Sequence, residues 1–330
     1  MKNNRHYTVS EETIDALSSY WCNPDHPLEW TCLFTSPLWM GAWWHVFGDG
    51  SDGKVWVVRD GHRVIGIAPL RLEGAVARFV GSPDVCDFLD FAVTRGKGVD
   101  FLGALIDHLG GLGVSHLDLG PFRSDSITVA LFSDIAQDRG WQVQWESEDV
   151  AYELDLPATW EEYLQELPGK QRHEIRRKFR RLEGAGAVNF RIADDCLQNS
   201  DDMDLFLSLF RMNRADKSEF MTDTMMAFFR SLATSLAGSG MLKLFFLELD
   251  AVPAAAIMCF DYGSTMYLYN NGYDSRFSSL SVGMLSKMLS IKNSIETGKK
   301  TYDFLKGNET YKKQLGGKAV QLYRCLADLR

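Results

Sequence analysis

Side chains able to do chemistry crowd into one stretch of this chain, residues 265–315, TMYLYNNGYDSRFSSLSVGMLSKMLSIKNSIETGKKTYDFLKGNETYKKQL. Asn270 and Asn271 carry amides that can orient a carbonyl. Ser279, Ser281, Val282 and Gly283 stand where a helical apolar pattern begins, and the free N–H groups of a helix start bind phosphates. Ser281 is of a type that caps helices, and Gly283 permits close backbone approach. Asp303 and Glu309 can take up a proton and Tyr311 can give one. Lys306 and Lys312 can meet a phosphate or a carboxylate. Such a set suits proton transfer beside a phosphate-bearing co-substrate. Each member also has an ordinary structural use: Asn270 and Asn271 in a turn, Asp303 paired with a lysine at a strand end, Glu309 against the dipole of its helix, the lysines in water.

The elements that must position these groups follow from periodicity. TMYLYNNGYD alternates apolar and polar residues, as a half-buried strand does, and then Leu285, Met288, Leu289 and Ile295 recur at helical spacing up to Gly298. TYDFL predicts a strand and the residues after it a second helix, so the stretch reads strand, loop, helix, strand, helix. Upstream, VNFRIA predicts a strand, residues 202–214 and 224–236 helices, and MLKLFFLELD, PAAAIMCFDY and TMYLYNNGYD a meander with turns at 250–252 and Gly263-Ser264. AVQLYRCLADL is a final strand. In the first half the same signals predict a helix over 11–20 capped by Ser10, and a Trp-rich helix around Trp39, Trp43 and Trp44. A hairpin turning at Asp60-Gly61 and two further strands follow, then helices over 99–112 and 126–139 around the strand SHLDLGPF, and last the strand WQVQWES. Asp84, Asp87 and Asp90 with the tryptophans could wall a sugar or amine site, or the tryptophans could simply pack a core.

Between the halves, Thr159 to Glu162 makes a capping box. Pro168-Gly169 breaks that helix, and KQRHEIRRKFRRLE begins another whose narrow apolar stripe is Ile175, Phe179 and Leu182. The basic remainder could contact phosphates of a nucleic acid or of a co-substrate, or lie in solvent. The expected organisation is α+β: an N-terminal domain over 1–156, a basic helical connector over 157–186 and a C-terminal domain over 187–330. Each domain is a mixed, mostly antiparallel sheet flanked by helices. The two halves share an order of elements, with LDLGPF and YDFLKG in matching places.

The whole-chain properties narrow the function. A net charge of −9 over 330 residues opposes bulk attraction to nucleic acid or to an anionic membrane. The six cysteines show no CxxC pair and the seven histidines no HExxH, which predicts neither a disulfide framework nor a metal site. The polar opening MKNNRHYTVSEET predicts no secretory signal, and Ser36-Pro37 divides the uncharged run over 30–48 so that no membrane span is expected. A cytoplasmic location is the expectation.

The element order over 187–330 and the wording NNGYDSRFSSLSVGMLSKMLSIKNSIETGKKTYDFLKGNETYKKQLG resemble the GNAT acyltransferase superfamily, in its CelD-like, Fem-related branch of tandem domains. FTSPLWMGAWWHVFG, DFLDF and KQRHEIRRKFRRLE extend the resemblance over nearly the whole chain. It implies two tandem GNAT-like domains and transfer of an acyl group from acyl-CoA, acetyl-CoA in the first instance, to a small-molecule or cell-envelope polysaccharide precursor. The positions of the family's phosphate loop fall on residues 278–283, where Ser281-Val282-Gly283 replaces the Ser-Pro-Gly frequent in the branch. Asn270, Asn271, Ser279, Ser281, Val282, Gly283 and Lys312 would then bind the donor, with Glu309 or Asp303 as base and Tyr311 as proton donor to the leaving group. Fem-type relatives use aminoacyl-tRNA instead, which makes tRNA the alternative donor. A non-catalytic accessory of polysaccharide biosynthesis is the third possibility the resemblance allows.

Overall fold

Pairing between distant segments decides the start of the chain. The computed structural model describes residues 7–21, 23–48, 53–193, 200–213 and 219–330, and the chain divides into two units, Met1–Val150 with Val320–Arg330, and Ala151–Ala319. In the first unit β1 (Tyr7–Thr13) runs where a helix was expected. It pairs antiparallel with β3 (Lys54–Asp60) from Tyr7↔Asp60 to Thr13↔Lys54. Ser10 is no cap: its hydroxyl accepts from Arg59 at 2.6 Å, beside Glu12 and Tyr20. The cap is Thr13, heading a 3-10 turn over Ile14–Ser19. The local helical pattern lost to a long-range strand partner that satisfies every second backbone group.

Strand β2 is Leu28–Glu29, and α1 (Pro37–Phe47) is the expected Trp-rich helix, capped by Ser36 and with proline in its first turn. Trp39 and Trp43 are buried in the core. Among the described residues no helix is long and apolar enough to cross a membrane. The hairpin β3–β4 (Arg63–Ala68) turns at Gly61-His62, with Gly61 at φ +62°. Strands β5 (Leu70–Glu73), β6 (Val76–Phe79) and β7 (Ala92–Thr94), helix α2 (Gly98–Gly111), β8 (His116–Arg123), helix α3 (Ile127–Arg139) and β9 (Gln142–Asp155) follow. One sheet has the order β1-β3-β4-β7-β2, and β8, β6 and β5 neighbour one another in a second. Asp84 is exposed whereas Asp90 is buried, accepting from the hydroxyls of Ser126 and Thr128, each at 2.5 Å, and from the Phe91 N–H at 2.8 Å. Asp90 thus holds the start of α3 in place.

The second unit contains α4 (Trp160–Glu166), α5 (Gly169–Glu183), β10 (Val188–Ala193), α6 (Ser200–Asn213), α7 (Asp223–Leu236), β11 (Leu242–Leu249), β12 (Val252–Tyr262), β13 (Thr265–Tyr273), α8 (Val282–Glu296), β14 (Thr301–Lys306) and α9 (Thr310–Gln314). The last strand, β15 (Lys318–Asp328), pairs with β8 of the first unit's sheet, so the helices expected as a connector fall in the second unit and the final strand mostly in the first. The second unit's strand order is β10-β11-β12-β13-β14-β9. The meander turns sharply at Asp250-Ala251, both with positive φ, and at Gly263-Ser264. Leu182 of α5 enters a core cluster with Leu247, Leu249, Val282 and Leu285, and Phe179 packs against it. Arg176, Arg177, Arg180 and Arg181 on the other side of α5 are exposed.

Strand, helical segment, strands, helix, strand, helix, strand recurs in both units, and β1 supplies the opening strand that the sequence pattern alone did not give the first. The architecture is α+β, two repeats of mostly antiparallel sheet and flanking helices.

Candidate active site

Two deviations from regular strand geometry open the sheet of the second unit. β13 and β14 run parallel, joined by α8 as the crossover that parallel neighbours require, and their pairing covers Thr265↔Thr301, Met266↔Tyr302 and Tyr267↔Asp303. Past that point β13 bulges against β12: Leu268 faces Cys259 and Asn270 faces Met258, leaving Tyr269 as the extra residue, and a bulge bends its strand. β14 departs in the other sense at Leu305, whose φ of +60° is rare for a bulky side chain. Asp303 and Lys312 hold it there. The Asp303 carboxylate accepts the Leu305 N–H at 2.7 Å, and the Lys312 ammonium donates to the carbonyls of Leu305 (3.0 Å), Lys306 (2.6 Å) and Gly307 (3.0 Å).

Beyond β13, buried Asp274 accepts from the Arg276 N–H (2.9 Å) and guanidinium (2.8 and 2.6 Å), folding residues Ser275–Leu280 into a 3-10 turn. The same contact holds the Asp274 carboxyl below the usual aspartate range. Ser281 then takes the left-handed conformation, φ +59° and ψ +33°, and starts α8 through its carbonyl, which accepts from Met284 and Leu285, each at 3.0 Å. Its hydroxyl makes no capping bond, contrary to expectation, because a side-chain cap needs extended backbone at that position. Gly283 is required by packing: a Cβ there would lie 2.8 Å from Cδ1 of Tyr273.

Here lies a cavity of about 190 Å³, lined among others by Tyr273, Ser281, Gly283, Met284, Lys287 and Tyr311. Lys287 is only 6% exposed. Its ammonium donates to the Gly283 carbonyl at 2.8 Å and stands 4.8 Å from the centre of the Tyr311 ring. Burial pushes the Tyr311 phenol well above the usual tyrosine range, and the Glu309 carboxylate and Cys259 add to the effect. Deeper, the hydroxyls of Ser290 and fully buried Tyr302 bond at 2.6 Å.

Of the residues singled out by sequence, Ser281, Val282, Gly283 and Tyr311 come together in this cavity. Ser279 is exposed on the 3-10 turn, and Asn270 and Asn271 are half-buried on the part of β13 beyond the parallel pairing. Asp303 is 1% exposed inside the end of β14, and Lys312, 2% exposed, turns its charge inward onto carbonyls rather than toward a ligand. Glu309 is exposed and ion-paired to Lys312 at 2.9 Å. Lys287 and Tyr273 were not singled out. The signal for Lys287 was a polar stripe at helical spacing, Ser286, Lys287, Ser290 and Ser294, on a helix whose remaining buried side chains are mostly apolar; all four are buried. Among the described residues no cluster of three or more His, Cys, Asp or Glu side chains is arranged to hold a metal.

Residues 169–313 match the family model of the acetyltransferase (GNAT) domain. No curated protein matches the sequence. Among solved structures the fold is similar to FemX (TM-score 0.65, 13% identity, 96% of either chain covered). It is also similar to a conserved protein of unknown function from Bacteroides thetaiotaomicron (TM-score 0.61, 13% identity, 98% of this chain and 100% of that one). L-PGS from Bacillus licheniformis is more distant (TM-score 0.50, 10% identity, 88% and 90% covered). The matched segment contains the parted strands, the head of α8 and Tyr311. Residues 169–313 are thus similar to the acetyltransferase (GNAT) domain, and the chain shares its fold with FemX.

Proposed function

We propose that the chain moves an acyl group from acyl-CoA, acetyl-CoA first, to an amine or hydroxyl of a small molecule or cell-envelope polysaccharide precursor. The observation that carries this is the meeting of the α8 head with Tyr311 in one cavity where β13 and β14 part. The backbone N–H groups of Val282 and Gly283, beside Ser281 and Ser279, receive the donor's phosphates. The edge of β13 past Tyr267, which carries Asn270 and Asn271, lies along the donor's extended arm. When the acceptor attacks the thioester carbonyl, the new C–N or C–O bond forms and the C–S bond breaks. The Tyr311 hydroxyl gives its proton to the departing sulfur. Glu309 is the carboxylate that solvent and acceptor can reach, and it takes the acceptor's proton while Lys312 fixes its direction. Asp303 acts on β14, not on substrate.

Acetyl-CoA is expected to raise the melting temperature of the protein, and no shift with any of a panel of acyl-CoAs overturns the proposal. Tyr311→Phe should keep that shift and lose roughly 100-fold in kcat. Because the folded protein raises the Tyr311 pKa, the proton stays on the phenol until the pH passes the raised value. Activity should therefore hold through the ordinary tyrosine range of about 10 and fall only above it; a decline centred near neutrality assigns the proton to another group.

The runner-up donor is aminoacyl-tRNA, favoured by the exposed arginines of α5 and by the fold shared with FemX.

A further inference from the structure

We infer that Lys287 is a positioning residue for acyl transfer, acting through Tyr311. This rests on the proposed role of Tyr311 as proton donor. The cavity wall places an ammonium 4.8 Å from the centre of that phenol ring. Helical side chains lean toward the N-terminus, so Lys287 reaches back one turn and is clamped at 2.8 Å by the carbonyl of Gly283, which also accepts from the Ser286 hydroxyl at 3.3 Å.

The other groups facing Tyr311 are few and come from separate elements. Glu309 heads its own helix, Cys259 of β12 is near enough to act on the phenol electrostatically, and Phe304 of β14 packs edge-on with ring centres 6.2 Å apart. Glu309 disfavours loss of the phenolic proton, as burial does. Lys287 has the opposite sign: a cation over the ring face attracts its electron density and favours the phenolate more than the phenol.

In the transfer step the acyl carbon–sulfur bond breaks, the sulfur takes the Tyr311 proton, and a phenolate remains until solvent reprotonates it. Lys287 holds the ring in line during that step and balances the charge left on it. For an aminoacyl ester donor the leaving oxygen is a stronger base than a thiolate and the same arrangement serves it.

The test is a double-mutant cycle in the full-length protein, with acetyl-CoA as donor and hydroxylamine as acceptor, free thiol being measured above the uncatalysed rate. Lys287→Met should lower kcat about tenfold or more with KM for acetyl-CoA nearly unchanged. In the Tyr311→Phe background the same substitution should cost less than about twofold. Lys287→Arg, which restores the charge, should recover part of the loss, and melting temperatures identify any variant that fails to fold; in that case the Arg variant in both backgrounds carries the comparison. An equal penalty in both backgrounds, or none in the native one, overturns the inference while leaving acyl transfer in place. If the unsubstituted protein turns over neither acetyl-CoA nor an aminoacyl-tRNA, the proposed activity fails and this inference with it.

Discussion

Ser281 and Leu305 both take left-handed backbone, and the two residues differ in what keeps them there. Leu305 is tied by its N–H to Asp303 and by its carbonyl to Lys312. Ser281 has no side-chain cap to compensate its conformation. Glycine takes this geometry without a Cβ penalty, against a modest entropic cost in the unfolded chain. Ser281→Gly is accordingly expected to leave the fold unchanged and to stabilise it by about 0.5 kcal/mol, measured by urea unfolding; destabilisation would mean that the hydroxyl is engaged. Sequence showed the types of these residues and not their duties. Lys312 and Tyr311 are adjacent, yet one ammonium is folded into a carbonyl cage and one phenol faces a cavity, because neighbouring helical positions point about 100° apart.

At the scale of elements, close approach of α6 to β13 depends on Gly272, where a Cβ would run into the backbone of Leu209 and Phe210. Gly272→Ala must push α6 off the sheet and is expected to cost about 3 kcal/mol or more, seen as a lower denaturation midpoint; a change under about 1 kcal/mol would show that α6 can shift freely. Most elements were legible because their signals were local. Ser126, Thr159, Thr222 and Gly140 cap helices where they stand in sequence, and the Asp250-Ala251 and Gly263-Ser264 turns separate alternating runs. β1 was not legible, since YTVSEET becomes a strand only against Lys54–Asp60, more than forty residues away. Nor was the bulge at Tyr269, which exists only in the register of β13 on β12.

For the whole molecule, a net charge of −9 coexists with an exposed basic face on α5, where Glu174 takes Arg177 and Lys178 while Arg176, Arg180 and Arg181 lie in solvent. If tRNA is the donor, its affinity should fall steeply with salt, and replacing Arg176, Arg177 and Arg180 by alanine should lower the salt slope by about 2 to 3. Filter binding at several salt concentrations checks this, and an unchanged slope excludes α5 as the contact. The element order that repeats across the chain was visible in sequence. The division into units was less so, because it is set by where β9 and β15 pair, not by the composition of the segments between.

The buried hydroxyls and ammonium along α8 have a mechanical consequence. Turning the helix by one residue, about 100°, would swing Ser286, Lys287, Ser290 and Ser294 against aliphatic neighbours and break the bond between Ser290 and Tyr302. The bond between Ser290 and Tyr302 keys the helix to β14, like a spline on a shaft, and opposes its rotation. The leading amides of α8 and the Tyr311 phenol share one cavity wall, so under the proposed activity a donor has to match the spacing between them.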